Sequence, residues 1–168
     1  MNDGLIDGFR HNTWATHQVL NACSDLTDEQ LNTTVTGTYG SIIATLRHLV
    51  SAEGGYCRRL TGIEPDWYGN RDNDPDIAEL TRRVDDLADR WERFFSEPFD
   101  ADRMFIIPWH DGVDRDVPAG VILNQVLHHG NEHRTQVNTT LTALGVPTPD
   151  LGLWDFAEAT NRAPQRTG

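Results

Sequence analysis

A chain of 168 residues, 38% hydrophobic, is long enough for one domain spanning 1–168 with its own core, and a formal charge of −12 argues against phosphate backbones and anionic lipid as partners. No run reaches the roughly 20 apolar residues of a spanning helix, and MNDGLIDGFRHN lacks the basic and apolar parts of a leader, which predicts a cytoplasmic protein. All fourteen basic residues are Arg, which excludes lysine Schiff-base chemistry.

In chain order, apolar spacing predicts a first helix over about Asp3 to Ala22, with Leu5, Phe9, Asn12, Thr16, Val19 and Leu20 facing inward. His11 and His17 fall outside that stripe and are expected to be exposed. Thr27 with Gln30 can cap a short turn after Ser24. Ser41 is placed to cap a second helix, Ile42 to Leu60, stopped at Gly62 and Pro65. WYGNRDNDPD reads as a polar loop. Pro75 and Asp76 open a third helix, Ile77 to about Phe95, with Leu80, Val84, Leu87, Trp91 and Phe94 at intervals of three and four. MFIIPWHDGVDRDVP reads as a loop or short strand pair crossing one end. Pro118 begins a fourth helix running to about Leu144, ended by Gly145 and Pro147, and DLGLWDFAEATNR adds one further helical turn before a loosely ordered tail from about 155. Four amphipathic helices with little strand predict an all-α four-helix bundle, with a long connection before the last long helix. The two cysteines, Cys23 and Cys57, form neither a disulfide framework nor a CxxC motif and are expected to be reduced and partly buried.

The segment HHGNEHRTQ, residues 128–136, holds three of the seven histidines. With His129 at zero on a helical wheel, the apolar stripe of the fourth helix centres at about 70°; His133 falls at about 40° and His128 at about 260°. Two imidazoles therefore point inward, one turn apart, as one ion would require, while His128 faces solvent. HxxxH alone is equally the pattern of two hydrogen-bonded core histidines. On the second helix His48 lies about 130° from the stripe centre and Glu53 near its middle. Either His48 reaches round the edge into an open groove or Glu53 is that helix's contribution. A buried Glu53 requires a cation, a metal or a hydrogen-bonding partner such as an Arg. Asn12, Thr16 and Gln136 sit on apolar faces, either bonding one another across the bundle or orienting ligands. His110, in a Pro/Gly-flanked loop, has nothing to fix it near a site.

GSIIATLRHLVSAEGGYCRRLTG, followed by LHHGNEHRTQVNTTLTALGVPTP, resembles the DinB/YfiT family of metal-dependent four-helix proteins. The specific part is a His on the second helix followed by HxxxHRxQ on the fourth. Thr135 departs from the Gly usual there. The resemblance implies His48, His129 and His133 as ligands of a divalent metal, Zn foremost and Ni second, in a bundle of the DinB/YfiT type with a homodimer as its assembly. It also implies activation of a low-molecular-weight thiol or of water, as in mycothiol-dependent maleylpyruvate isomerase and thiol S-transferases. An all-Arg, acidic composition is what a high-GC actinobacterial genome encodes, and on that basis mycothiol is the expected thiol. The expectation is thus a metal-dependent thiol transferase, isomerase or hydrolase acting on a small molecule, with no nucleic-acid or membrane partner. Its rivals are a non-catalytic, stress-related metal- or ligand-binding protein, and a chain whose histidines bind no metal.

Overall fold

The computed structural model describes residues 3–69 and 74–164. Part of the WYGNRDNDPD loop, 70–73, and the end of the tail, 165–168, lie outside the described residues. Four long helices dominate: α1 (Asp3–Cys23), α3 (Ile42–Thr61), α4 (Ile77–Ser96) and α5 (Ala119–Ala143). Short helices α2 (Asp28–Leu31) and α6 (Leu153–Ala159) flank them, and β1 (Met104–Ile107) pairs antiparallel with β2 (Arg115–Pro118) between α4 and α5.

The helix ends follow local chemistry. Thr27 and Gln30 form a reciprocal capping box at α2. Ser41 and Asp76 accept hydrogen bonds from the backbone N–H of Ala44 and Glu79, opening α3 and α4. Gly62 ends α3 at φ 75°, a left-handed conformation open to a residue without Cβ. Pro118 differs from expectation: it closes β2, opposite Met104, and α5 starts one residue later. The predicted last helical turn is a full α6, held because His11 Nε2 lies 2.8 Å from the Leu151 carbonyl oxygen and Phe156 packs edge-on to His11 and against Trp14. His11 is consequently half-buried rather than exposed, and His17 is also half-buried, 3.0 Å from Asp85.

Long helices α1 and α3 each pack against both α4 and α5, so α1 stands diagonally from α3 and α4 from α5. A diagonal step must cross an end of the bundle, and residues 24–41 and 97–118 do so. The core between the helices includes Leu20, Leu46, Leu49, Leu80, Leu87 and Leu141, none more than 1% exposed. Each such side chain contributes on the order of 2 kcal/mol of hydrophobic stabilisation. Phe9, Trp91 and Phe95 interlock at the α1–α4 seam, with ring centroids of Phe9 4.6 and 4.9 Å from the other two. No helix among the described residues is long and apolar enough to cross a membrane.

Candidate metal centre

The apolar stripes of α3 and α5 face each other and bring His48 against His129 and His133. Nε2 of His48 lies 3.0 Å from Nε2 of His129. Ring centroids are 5.0 Å apart for His48 and His129, 4.8 Å for His48 and His133, and 4.4 Å for His129 and His133. One nitrogen from each ring falls within 4.8 Å of the other two. Two nitrogens on a tetrahedral ion at about 2.0–2.1 Å are separated by roughly 3.3 Å, so the His48–His129 pair already has nearly that spacing. His48 thus reaches round the edge of its stripe, while His128 is exposed, on the far side of α5.

Lone pairs decide whether such a cluster can bind a cation. Gln136 Oε1 accepts the Tyr39 backbone N–H at 3.1 Å and lies 2.9 Å from His133 Nδ1. An amide oxygen only accepts, so His133 donates from Nδ1, the arrangement that leaves the lone pair of the neutral ring on Nε2. Burial, with a smaller contribution from His133, holds the pKa of His48 below the ordinary imidazole value. Burial, then His133 and His48, lower that of His129 to about 4. Both rings are therefore neutral at physiological pH. Tyr39, from the first long connection, stacks on His48 at 4.2 Å and meets His133 edge-on at 5.2 Å. Tyr39 lies between the first two predicted long helices, where no apolar period or spacing in the sequence marks it as part of a site.

Glu53 belongs to a different cluster, one turn and a half along α3. Its Oε1 accepts from Trp91 Nε1 at 2.8 Å and its Oε2 from Asn12 Nδ2 at 3.0 Å. Asn12 Oδ1 in turn accepts from Arg134 Nη1 at 2.7 Å, and the same nitrogen donates to Thr16 Oγ1 at 3.0 Å. Burial raises the Glu53 pKa, with the two hydrogen bonds and Arg134 pulling it back. Burial lowers that of Arg134 to about 10, with Glu53 opposing, and the guanidinium stays cationic at neutral pH. Gly130 makes this possible, since a Cβ there would collide with Asn12 Oδ1 and with Arg134. The partners that a buried Glu53 demanded are Trp91 and Asn12, the latter backed by Arg134. Asn12 and Thr16 join that cluster, whereas Gln136 serves the histidines.

The remaining titratable candidates stay apart. Cys23 and Cys57 are free and buried, and burial pushes both thiols up to about 12, which makes them poor nucleophiles. His110 is exposed at the β1–β2 turn and is not among the clustered histidines. A cleft of about 520 Å³ lies between the ends of α3 and α4 and the hairpin and includes none of the three histidines; convergent lone pairs, rather than cleft volume, locate this site. A donor set of three imidazoles suits Zn²⁺ or Ni²⁺. Among the described residues no fourth His, Cys, Asp or Glu joins the group, which leaves a coordination position for a small molecule.

A search of curated protein sequences finds no match. Among solved structures the fold is similar to that of YfiT from Bacillus subtilis, described as a probable metal-dependent hydrolase with an unusual four-helix bundle topology. The two share 17% identity over 88% of this chain and 91% of that one, with a TM-score of 0.66. Residues 1–167 match the DinB family, and with its diagonal four-helix bundle and clustered histidines the chain belongs to that family.

Proposed function

We propose that the chain is a metal-dependent enzyme in which His48, His129 and His133 hold a divalent ion, Zn²⁺ foremost and Ni²⁺ second, for transfer, isomerisation or hydrolysis chemistry on a small molecule. A divalent ion there supplies Lewis acidity that lowers the pKa of a thiol or a water toward neutrality. The carrying observation is the meeting of three imidazole nitrogens from two helices within 4.8 Å, with a Gln136 contact that fixes one tautomer. His48 and His129 contribute lone pairs because burial disfavours their protonation. Gln136 orients His133, and Tyr39 covers the rings from one side while leaving the groove edge open. The preferred nucleophile is a low-molecular-weight thiol, mycothiol if the composition reflects an actinobacterial source; water is the alternative, in keeping with the description of YfiT.

A non-catalytic metal or ligand binder is the second reading, and coordination separates the two: a structural ion takes four protein ligands, whereas only three converge here among the described residues. Elemental analysis of untagged protein is expected to find about one metal per chain. His129→Ala or His133→Ala is expected to abolish it, and His128→Ala to leave it intact. Consumption of thiol by an electrophile is expected to track metal occupancy across a chelator titration. Equal metal in all three variants refutes the site, and full activity after chelation refutes the chemistry.

A further inference from the structure

The face of α3 that carries His48 continues beyond the metal centre. Counted from His48 at about 100° per residue, Ala52 falls at about 40°, Gly55 at about 340° and Arg59 at about 20°, so a guanidinium stands in line with the imidazole over a floor of small residues. These residues line one cleft of about 270 Å³, walled by Tyr56 and Tyr68. Eleven residues of helix span about 16 Å, and side chains on a helix lean toward its N-terminus, which brings the Arg59 head back toward His48.

Two features hold the walls. The Tyr68 hydroxyl sits where a Cβ on Gly55 would approach within 2.8 Å, so the missing side chain at position 55 admits Tyr68 to the cleft. Arg58 lies over the Tyr68 ring at 5.3 Å and pairs with Glu64 at 3.2 Å. Tyr56 meets His129 edge-on at 5.9 Å, which makes the cleft continuous with the histidines. Arg58 is thus already engaged, while Arg59 makes no ion pair or hydrogen bond with the described residues. No carboxylate among the described residues lines the cleft, although the chain as a whole carries a charge of −12.

We propose that this cleft is the substrate-binding arm of the metal centre and that Arg59 receives an oxyanion, carboxylate or phosphate, at the far end of a small molecule whose reacting end lies at the histidines. The inference rests on the reading of those histidines as a metal centre and adds the charge and polarity of the substrate. A planar guanidinium holds either oxyanion through two parallel hydrogen bonds, which gives both affinity and orientation. The cleft volume limits the molecule to a compact one, below the usual range for drug-sized ligands.

Two measurements test it. On cobalt-substituted protein, visible-band titration with the chain-matched pair mercaptohexanoate and mercaptohexanol compares ligands that differ only in the remote acid. The acid is expected to bind about tenfold more tightly, the size of one charge-assisted hydrogen bond. In Arg59→Gln that preference is expected to fall to about twofold or less with the alcohol unchanged, and Arg59→Lys to fall between. On metal-free protein, NMR titration with inorganic phosphate and with acetate is expected to shift the Arg59 side-chain and Tyr68 signals saturably, and the tighter of the two identifies the preferred oxyanion. Cobalt uptake without a preference for the acid, or a preference that survives in Arg59→Gln, overturns the proposal and leaves the metal centre standing. Saturable anion shifts without cobalt uptake refute the metal centre and keep the anion cleft.

Discussion

The bundle holds two polar clusters to which α3 and α5 both contribute, and they are finished in opposite ways. Around Glu53 the partners close on one another: Trp91 and Asn12 occupy both carboxylate oxygens, and Asn12 and Thr16 accept from Arg134. Around His48, His133 has its Nδ1 tied to Gln136, while Nε2 of His48 and Nε2 of His129 face each other at 3.0 Å. Position on the helix does not separate the clusters, for His133 and Arg134 are neighbours in the chain. In the first cluster every carboxylate and amide acceptor meets a donor, and only the Arg134 Nε is left over, so its polar groups serve the fold, whereas a cluster with lone pairs in excess holds them for a cation.

Breaking the closed cluster is expected to give the largest effect on stability. Arg134→Met removes the cation that Asn12 and Thr16 face and leaves the Glu53 carboxylate without its nearest compensating charge. A buried pair broken on one side costs about 3–5 kcal/mol, read from urea midpoints. Adding Glu53→Leu to Arg134→Met is expected to recover part of that loss, because the second change removes the stranded carboxylate. Additive losses would mean that the two residues do not form one network.

The open cluster is sharpened by Gln136→Ala, which frees His133 to take the wrong tautomer. Removing such an orienting partner lowers metal affinity by about 10–100-fold, measurable by competition with a chelator, while metal-free stability changes by less than about 1 kcal/mol. A large stability loss with unchanged affinity would place Gln136 in the fold rather than the site.

These differences were unequally visible in the sequence. Helix periodicity separated His128 from His129 and His133, because the apolar stripe on α5 is broad and one residue of offset turns a side chain by about 100°. The same wheel set His48 off its stripe, since a site open to solvent sits at a groove edge where apolar periodicity carries no signal. Arg134 lies about 70° from the stripe centre, within the buried arc, but an Arg read one residue at a time counts as solvent-facing. Only the demand of Glu53 for a partner pointed toward an Arg, and it did not say which. Tyr39 and the half-buried state of His11 depend on segments far along the chain, the first connection and α6, whose paths over the bundle no local pattern encodes. Diagonal pairing of the helices is of the same kind: connection lengths permit it without specifying it.

Acidity offers the smallest and most discriminating test, because the two clusters drive stability in opposite directions with pH. The folded-state pKa of His129 is lowered to about 4 from its ordinary 6.5, so between those values the unfolded chain binds more protons. This group's stability contribution is therefore complete above the ordinary value and lost as pH falls through the window, by on the order of 1 kcal/mol once solvent screening is allowed for. Glu53 has the reverse sign. Its pKa is raised from 4.5 by burial, so the folded chain keeps a proton that the unfolded chain releases, and its contribution is lost as pH rises from that value upward. Urea midpoints of chelated protein from about pH 4.5 to 7 are then expected to rise more steeply in Glu53→Gln than in the parent, and to flatten or fall in His129→Ala. His128→Ala, on the exposed face of the same turn, is expected to leave the profile unchanged. Parallel profiles in all four proteins would show that neither cluster titrates as its burial requires, and the distinction between a closed cluster and an open one would lose its electrostatic basis.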